Sequence, residues 1–481
     1  MFYSSTRGDN NKVSSAEAII KGLAPDKGLF TPDNIPILSA EEKTFIKTTS
    51  YKEVAKLIFS KFLTDFSDKD ISTCVDSAYN NFDVAPLHQL DEQAQILELW
   101  HGPTCAFKDV ALQILPYFLT TAMSITGEKN DIAILVATSG DTGKAALEGF
   151  KDVAGTKIIV LYPSEGVSAV QKQQMVTQEG DNVSVISING NFDDAQTAAK
   201  NIFTDNVLNA TLLAKGIKLS SANSINWGRL LPQIVYYIKS SIDLDESTID
   251  YVVPTGNFGN ILAAYFAKQM GAPIGKLICA SNSNNVLTDF IKTGIYDRRR
   301  EFFKTLSPSM DILISSNLER LLFELSGHDA PLISQLMADL EELEVYTIPD
   351  DLKNKLDDLF YPSCADDLQT KHAIKDCYDK FGYLLDTHTA VAYDAYQKYT
   401  KEHDSKKIVI VSTASPYKFP IGVGDALGLD ITKNEYDILK DLENLTHIAI
   451  PKPLVDLESK EVLHSISCRK EEILQAVTEL L

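Results

Sequence analysis

From about residue 130 the chain alternates between short, nearly continuous apolar runs and longer stretches in which apolar positions recur at helical spacing. The apolar runs fall at 132–137, 158–161, 183–188, 251–253, 277–280 and 408–411. They are rich in Ile, Val and Leu, the pattern of strands covered on both faces. Between them, residues 142–151, 192–203, 229–238 and 260–270 read as amphipathic or Ala-rich helices. Such alternation predicts an α/β protein with parallel sheets, and it directs attention to the loops that leave the strand C-termini.

The flanking regions read differently. Residues 14–22 and 51–66 have helical spacing and 25–36 is rich in turn residues, so a small N-terminal domain is expected before about residue 95. Residues 295–371 are acidic, with helical periodicity and few strand signals, and read as a helical insertion or subdomain. No internal repeat or low-complexity linker interrupts the chain.

Composition narrows the function. With 481 residues there is room for two or three well-buried domains. No apolar run of about 18 residues predicts a membrane span, and residues 1–12 lack the apolar core of a secretory signal. The net charge of -21 argues against nucleic acid and anionic lipid as partners, and it requires any anionic ligand to be held by a local cluster of donors. The cysteines, Cys74, Cys105, Cys279, Cys364, Cys377 and Cys468, form no CxxC pair, which fits reduced thiols in a cytoplasmic protein. There is no HExxH, and no metal site is expected.

Four segments carry candidate chemistry, and each also has a plain structural reading. In Gly102-Pro103-Thr104-Cys105-Ala106-Phe107-Lys108-Asp109, Gly-Pro makes a turn and the apolar run 110–119 continues as a helix. Lys108 then falls near a helix N-terminus among apolar neighbours. Both features disfavour the ammonium form, as a Schiff-base lysine requires; a surface lysine beside Asp109 is the alternative. Thr138-Ser139-Gly140-Asp141-Thr142-Gly143 links a strand to a helix start and could bind an anion through backbone N–H groups, or merely cap the helix. It is not a P-loop, since Thr138 stands where the first glycine belongs and Ala145 where the final Ser/Thr belongs. Gly256-Asn257-Phe258-Gly259-Asn260 also lies between strand and helix, as a phosphate loop or a simple turn. Ser412-Thr413-Ala414-Ser415 ends the last strand run, where hydroxyls can reach a ligand or cap the next segment.

Their order is more telling than any one of them. A lysine on a helix, a hydroxyl loop, a Gly-rich loop and a terminal Ser/Thr form the layout of the tryptophan-synthase-like pyridoxal-phosphate enzymes. Within that group the sequence resembles the threonine synthases, in the longer form with an N-terminal extension. The resemblance rests on Ser4-Ser5-Thr6-Arg7-Gly8, GLAPDKGLF at 22–30, GPTCAFKD at 102–109 and ATSGDTG at 137–143. It continues through NSINWGR at 223–229, PTGNFGN at 254–260 and STASPYKFP at 412–420.

The resemblance implies two parallel-sheet α/β domains of fold type II plus an N-terminal α+β domain. The divisions would be 1–95, 96–225 with the cofactor lysine and substrate loop, and 226–481 with the phosphate loop and an insertion near 295–371. It implies pyridoxal 5'-phosphate held by Lys108 as a Schiff base, with Gly256, Asn257, Phe258, Gly259 and Asn260 around its phosphate and Thr413 facing its pyridine nitrogen. Thr138, Ser139 and Thr142 would line the substrate carboxylate, and Asn223, Ser224 and Arg229 would hold a substrate phosphate. The implied reaction turns O-phospho-L-homoserine and water into L-threonine and phosphate, in a cytoplasmic monomer or homodimer. Many relatives in the wider group carry Asn where Asp141 stands, and a carboxylate there would repel the cofactor's phenolate. The competing readings are another enzyme of the same fold, such as a serine or threonine dehydratase, and a catalytically silent homologue.

Overall fold

The computed structural model describes residues 1–481 apart from Ser139, Glu165, Gly166, Ser405 and Lys406, with only the backbone of Phe192 and Asp193. Two parallel sheets dominate. The larger runs, in spatial order, through Phe360–Cys364, Ile274–Ser281, Ile249–Pro254, Ile408–Ser412, Ala94–Glu98 and Leu87–Gln89. All its neighbours pair parallel except Leu87–Gln89, which is antiparallel to Ala94–Glu98. The smaller sheet is fully parallel, in the order Ile466–Arg469, Val183–Asn189, Thr156–Pro163, Asp131–Ala137 and Ile217–Ser220. Each of the six apolar runs lies within one of these strands, as β-branched residues buried on both faces should.

Several elements depart from the sequence expectation. The apolar stretch 110–119 is two helices, Lys108–Leu112 and Leu115–Thr126, because Pro116 lacks the N–H of a helix interior and instead sits in the first turn of the second helix. Residues 295–371 contain strands as well as helices. Ile295–Asp297 and Val345–Thr347 pair antiparallel, and Phe360–Cys364 is the edge strand of the larger sheet. Pro362 masks that strand in the sequence, yet an edge position tolerates a proline. The expected division at residue 95 falls inside Ala94–Glu98, a strand of the larger sheet, and the C-terminal strand Ile466–Arg469 returns to the smaller one.

The N-terminal region is a two-stranded antiparallel sheet, Tyr3–Ser5 with Phe30–Pro32, followed by helices. It is welded to the site-bearing body. Trp227, fully buried, has Tyr3, Phe62 and Phe266 around it with ring centroids at 5.5 Å each. Arg7 forms a two-point pair with Glu319 at 2.9 and 2.8 Å, and Thr6 donates to the same carboxylate. The helices Lys108–Leu112 and Asp141–Phe150 approach closely because Gly149 has no side chain; a Cβ there would lie 2.0 Å from the Leu112 carbonyl oxygen.

Candidate active site

The loops leaving the strands at Ala137, Pro254 and Ser412 converge with the turn that carries Lys108. Asp109 organises that turn by accepting from the Thr104 N–H at 2.8 Å and the Thr104 hydroxyl at 2.7 Å. Burial pushes its carboxyl up to about 6. Asp109 is thus committed to its own turn. The Phe107 N–H donates to the Thr413 carbonyl at 2.8 Å, and Ala106 bridges Ala414, so Lys108 is held beside the end of strand Ile408–Ser412. The Lys108 amine lies 5.7 Å from the centroid of the Phe107 ring and donates to the Ser309 hydroxyl at 3.4 Å. Burial lowers Lys108 to about 8; the charges of Lys418 and Arg229 act in the same direction and Asp141 opposes them.

Thr138 turns its hydroxyl back on its own loop, accepting from the N–H groups of Gly140 and Gly143 at 3.0 and 2.9 Å. Ser139 lies outside the described residues, and Thr142 follows, half-buried, in the first turn of the helix. Gly140 has φ of 138°, and a Cβ there would meet the Gln171 side chain at 2.6 Å, so both conformation and space demand glycine. Asp141, buried at the helix start, receives the Gln171 amide at 2.8 Å and pairs with Lys418 at 2.7 Å. Burial alone would raise its carboxyl; Lys418 and Lys108 together hold it well below the usual carboxylate range.

The Gly-rich loop enters helix Gly259–Gln269 through Phe258, whose φ of 65° is left-handed. N–H groups in the first turn of a helix have no intrahelical acceptor and attract anions. The loop is braced from the segment after residue 308. Ser315 donates to the Gly256 carbonyl at 2.7 Å and Asn317 to the Asn257 carbonyl at 3.1 Å. A Cβ on Gly256 would lie 2.9 Å from the Ser309 carbonyl oxygen, so the lysine's neighbour also packs on the loop. The Asn260 side-chain oxygen accepts from Tyr236 and Tyr237 at 2.6 and 2.7 Å, which ties that side chain into helix Trp227–Asp243.

Arg229 stands in the first turn of that helix, behind the Asn226 cap. It is buried, donates Nη1 to the Ala222 carbonyl, and has its Nε buried without a hydrogen-bond partner. Burial lowers the guanidinium to about 10. Ser224 accepts the Asn317 amide on its carbonyl at 3.2 Å, and its Cβ would lie 3.9 Å from a Cβ on Gly259. Asn223, by contrast, is exposed. The geometry therefore groups Lys108, Asp141, Thr413, the Gly-rich loop, Ser224 and Arg229. The set fits pyridoxal phosphate: a half-buried amine for the carbonyl, a helix start for the phosphate, and an unsatisfied buried Nε left over for a second anion.

Sequence reading assigned no role to Lys418, Ser309, Gln171 or the pair Asp386–His388. His388 shares a hydrogen bond of 3.0 Å between Nδ1 and Asp386, and its Nε2 accepts the Ser309 N–H at 3.1 Å. Lys418 lies inside the STASPYKFP motif, so its position was visible. Its burial and its partner were not.

Known proteins agree with this architecture. Residues 2–79 match the family described as threonine synthase N terminus, 83–335 the pyridoxal-phosphate dependent enzymes, and 389–471 the C-terminal threonine synthase family. The threonine synthase of Pseudomonas aeruginosa is 38% identical over 440 residues, covering 89% of this chain and 92% of that protein. Human threonine synthase-like 1 is 41% identical over 440 residues; the match covers 86% of this chain but 58% of that longer protein. The crystal structure of threonine synthase from Brucella melitensis, with pyridoxal phosphate bound, superposes with a TM-score of 0.90 at 36% identity, covering 100% of this chain and 99% of that one.

Proposed function

The chain belongs to the threonine synthase family of pyridoxal-phosphate-dependent enzymes, and from that premise we propose how its own residues convert O-phospho-L-homoserine and water to L-threonine and phosphate. The observation that carries the reading is Arg229: a buried guanidinium in the first turn of helix Trp227–Asp243, its Nε without a hydrogen-bond partner, whose charge is felt at Lys108. A buried cation left one acceptor short is a standing invitation to an anion, and a planar fork suits a phosphate bidentately.

When bound, pyridoxal phosphate supplies the electron sink that lets a proton leave the substrate's Cα. The remaining work belongs to the protein. Gly256, Asn257, Phe258, Gly259 and Asn260 would hold the cofactor phosphate at the helix start, and Thr413 would offer a neutral hydroxyl to the pyridine nitrogen. Thr138, Ser139 and Thr142 would receive the α-carboxylate, while Arg229 and Ser224 would receive the γ-phosphate; exposed Asn223 stands outside that group. Lys108, brought down to about 8, can both take and return protons at neutral pH, first at Cα and then at Cβ. Phosphate departs from Cγ under the positive charge of Arg229, the proton taken from Cβ is delivered to Cγ to make the methyl group, and water then adds at Cβ as a proton returns to Cα. A dehydratase would have no use for the third anion site. The same reading places the enzyme in the cytoplasm as a monomer or homodimer; all six cysteines are free.

Incubation with O-phospho-L-homoserine should yield threonine and inorganic phosphate in equal amounts. Borohydride reduction followed by peptide mapping should find the pyridoxyl group on Lys108, and Lys108→Ala should abolish turnover. Label on another lysine, such as Lys144, would overturn the assignment.

A further inference from the structure

Asp141 poses a problem for this site. A bare carboxylate so close to the reacting lysine should either seize it as an ammonium or repel an electron-rich cofactor. It does neither alone, because its own cation is present: Lys418, fully buried, at 2.7 Å. Lys418 is fixed independently by donating to the Thr104 carbonyl at 2.8 Å. Between Asp141 and Lys108 stands Ser309, with its hydroxyl 3.4 Å from the lysine Nζ and 3.4 Å from the other Asp141 oxygen. The Ser309 backbone is pinned in turn by His388, which Asp386 orients.

We propose that the buried Asp141–Lys418 pair, acting through Ser309, is a positioning unit for Lys108 that orients its amine when the substrate displaces it and governs how readily that nitrogen holds a proton. The inference rests on Lys108 being the cofactor lysine. Its direction follows from hydrogen-bond capacity. An ionised carboxylate only accepts, so the single Ser309 proton goes to Asp141. Lys108 must then donate an N–H to Ser309, and the lone pair of the neutral amine is turned away from the pair, free to take a proton from substrate. Because Asp141 and Lys418 together carry no net charge, Lys108 feels an oriented dipole instead of a full anion.

The charged groups around Lys108 come from separate elements: Asp141 on its helix, Lys418 after the last strand of the larger sheet, and Arg229 on helix Trp227–Asp243. His388 and Asp386 reach it only through the Ser309 backbone, and Asp109 is engaged by Thr104. The two members of the pair therefore act on the same nitrogen with opposite sign.

The test is a pH titration of the holoenzyme's visible absorbance, whose midpoint reports protonation of the nitrogen contributed by Lys108. Asp141→Asn removes an anion and leaves two cations facing that nitrogen, so the midpoint should fall by about one pH unit or more. Lys418→Met removes a cation and should raise it by a similar amount. The double variant should return close to wild type, and Ser309→Ala should give a smaller downward shift. Lys418→Met leaves Asp141 buried and unpaired; should it fail to accumulate, Asp141→Asn and the double variant decide the matter by a fall followed by a recovery. If borohydride still labels Lys108 but Asp141→Asn leaves the midpoint in place, or the double variant does not restore it, the proposal is wrong and the functional reading stands. Label on a different lysine would overturn both.

Discussion

Arg229 and Arg320 are both buried arginines near the same loops, and the fold treats them in opposite ways. Burial lowers both guanidinium groups, Arg229 to about 10 and Arg320 to about 9. Arg320 recovers the loss inside the protein. It donates Nε to the Phe30 carbonyl at 3.0 Å, Nη1 to the Asn317 side-chain oxygen at 2.6 Å, and Nη2 to the Ile225 carbonyl. It also orients Asn317, whose amide braces both the Gly-rich loop and Ser224. Arg229 donates to one carbonyl and keeps its Nε empty. One arginine is a completed joint between the N-terminal region and the site; the other is a joint missing its partner. Burial alone does not tell structure from function. The count of satisfied donors does.

The comparison breaks most visibly in catalysis. Arg229→Ala should lower kcat/KM for O-phospho-L-homoserine by roughly 30- to several-thousand-fold, the equivalent of about 2–5 kcal/mol for an unpaired buried phosphate. The cofactor absorbance should stay unchanged, and Arg229→Lys should recover only part of the loss, since a point charge cannot replace the fork. Equal impairment of cofactor binding would make Arg229 a second Arg320. The converse change, Arg320→Met, should act on stability, because three oxygens lose their donor. About 2–4 kcal/mol of loss is expected in denaturant titrations, with kcat little altered at temperatures where the variant is folded.

The contrast also shows what a sequence carries and what it withholds. The placement of Lys108 and the two loops beside strand ends was legible because local turn chemistry marks it, whereas Arg229 entered only through the family resemblance. The six apolar strand runs were legible because burial on both faces leaves no alternation to interpret. Phe360–Cys364 was not, since Pro362 interrupts it and only its edge position excuses the proline. Ser309 was hidden in a stretch that reads as acidic helix, and it touches Lys108 across some two hundred residues. Lys418 shows the limit most clearly: the motif displays it, yet nothing local says that its charge is fully buried or that Asp141 is its partner. Pairings of that kind exist only after the sheets have assembled.

The smallest expected effect is the sharpest test of the unfinished joint. A buried cation with too few acceptors weakens the fold that contains it. Its folded-state value is depressed below that of a free arginine, so it opposes folding wherever it is charged, which covers all pH values below about 10. At neutral pH the penalty is therefore present in full. Arg229→Met, of similar length and apolar, should stabilise the holoenzyme without substrate by about 1–2 kcal/mol, even though it destroys activity. Inorganic phosphate at millimolar concentration should reverse the ranking: it should raise the melting temperature of the wild type by mass action and leave the variant nearly unmoved. Holoenzyme is needed, because on the proposed reading the cofactor occupies the Gly-rich loop and leaves the phosphate response to Arg229. With a chain this long each kcal/mol moves the melting temperature by only about 1–2 °C, so differential scanning calorimetry in matched ionic strength is the suitable measurement. Equal protection of wild type and variant by phosphate would show that the free Nε is not where the anion goes.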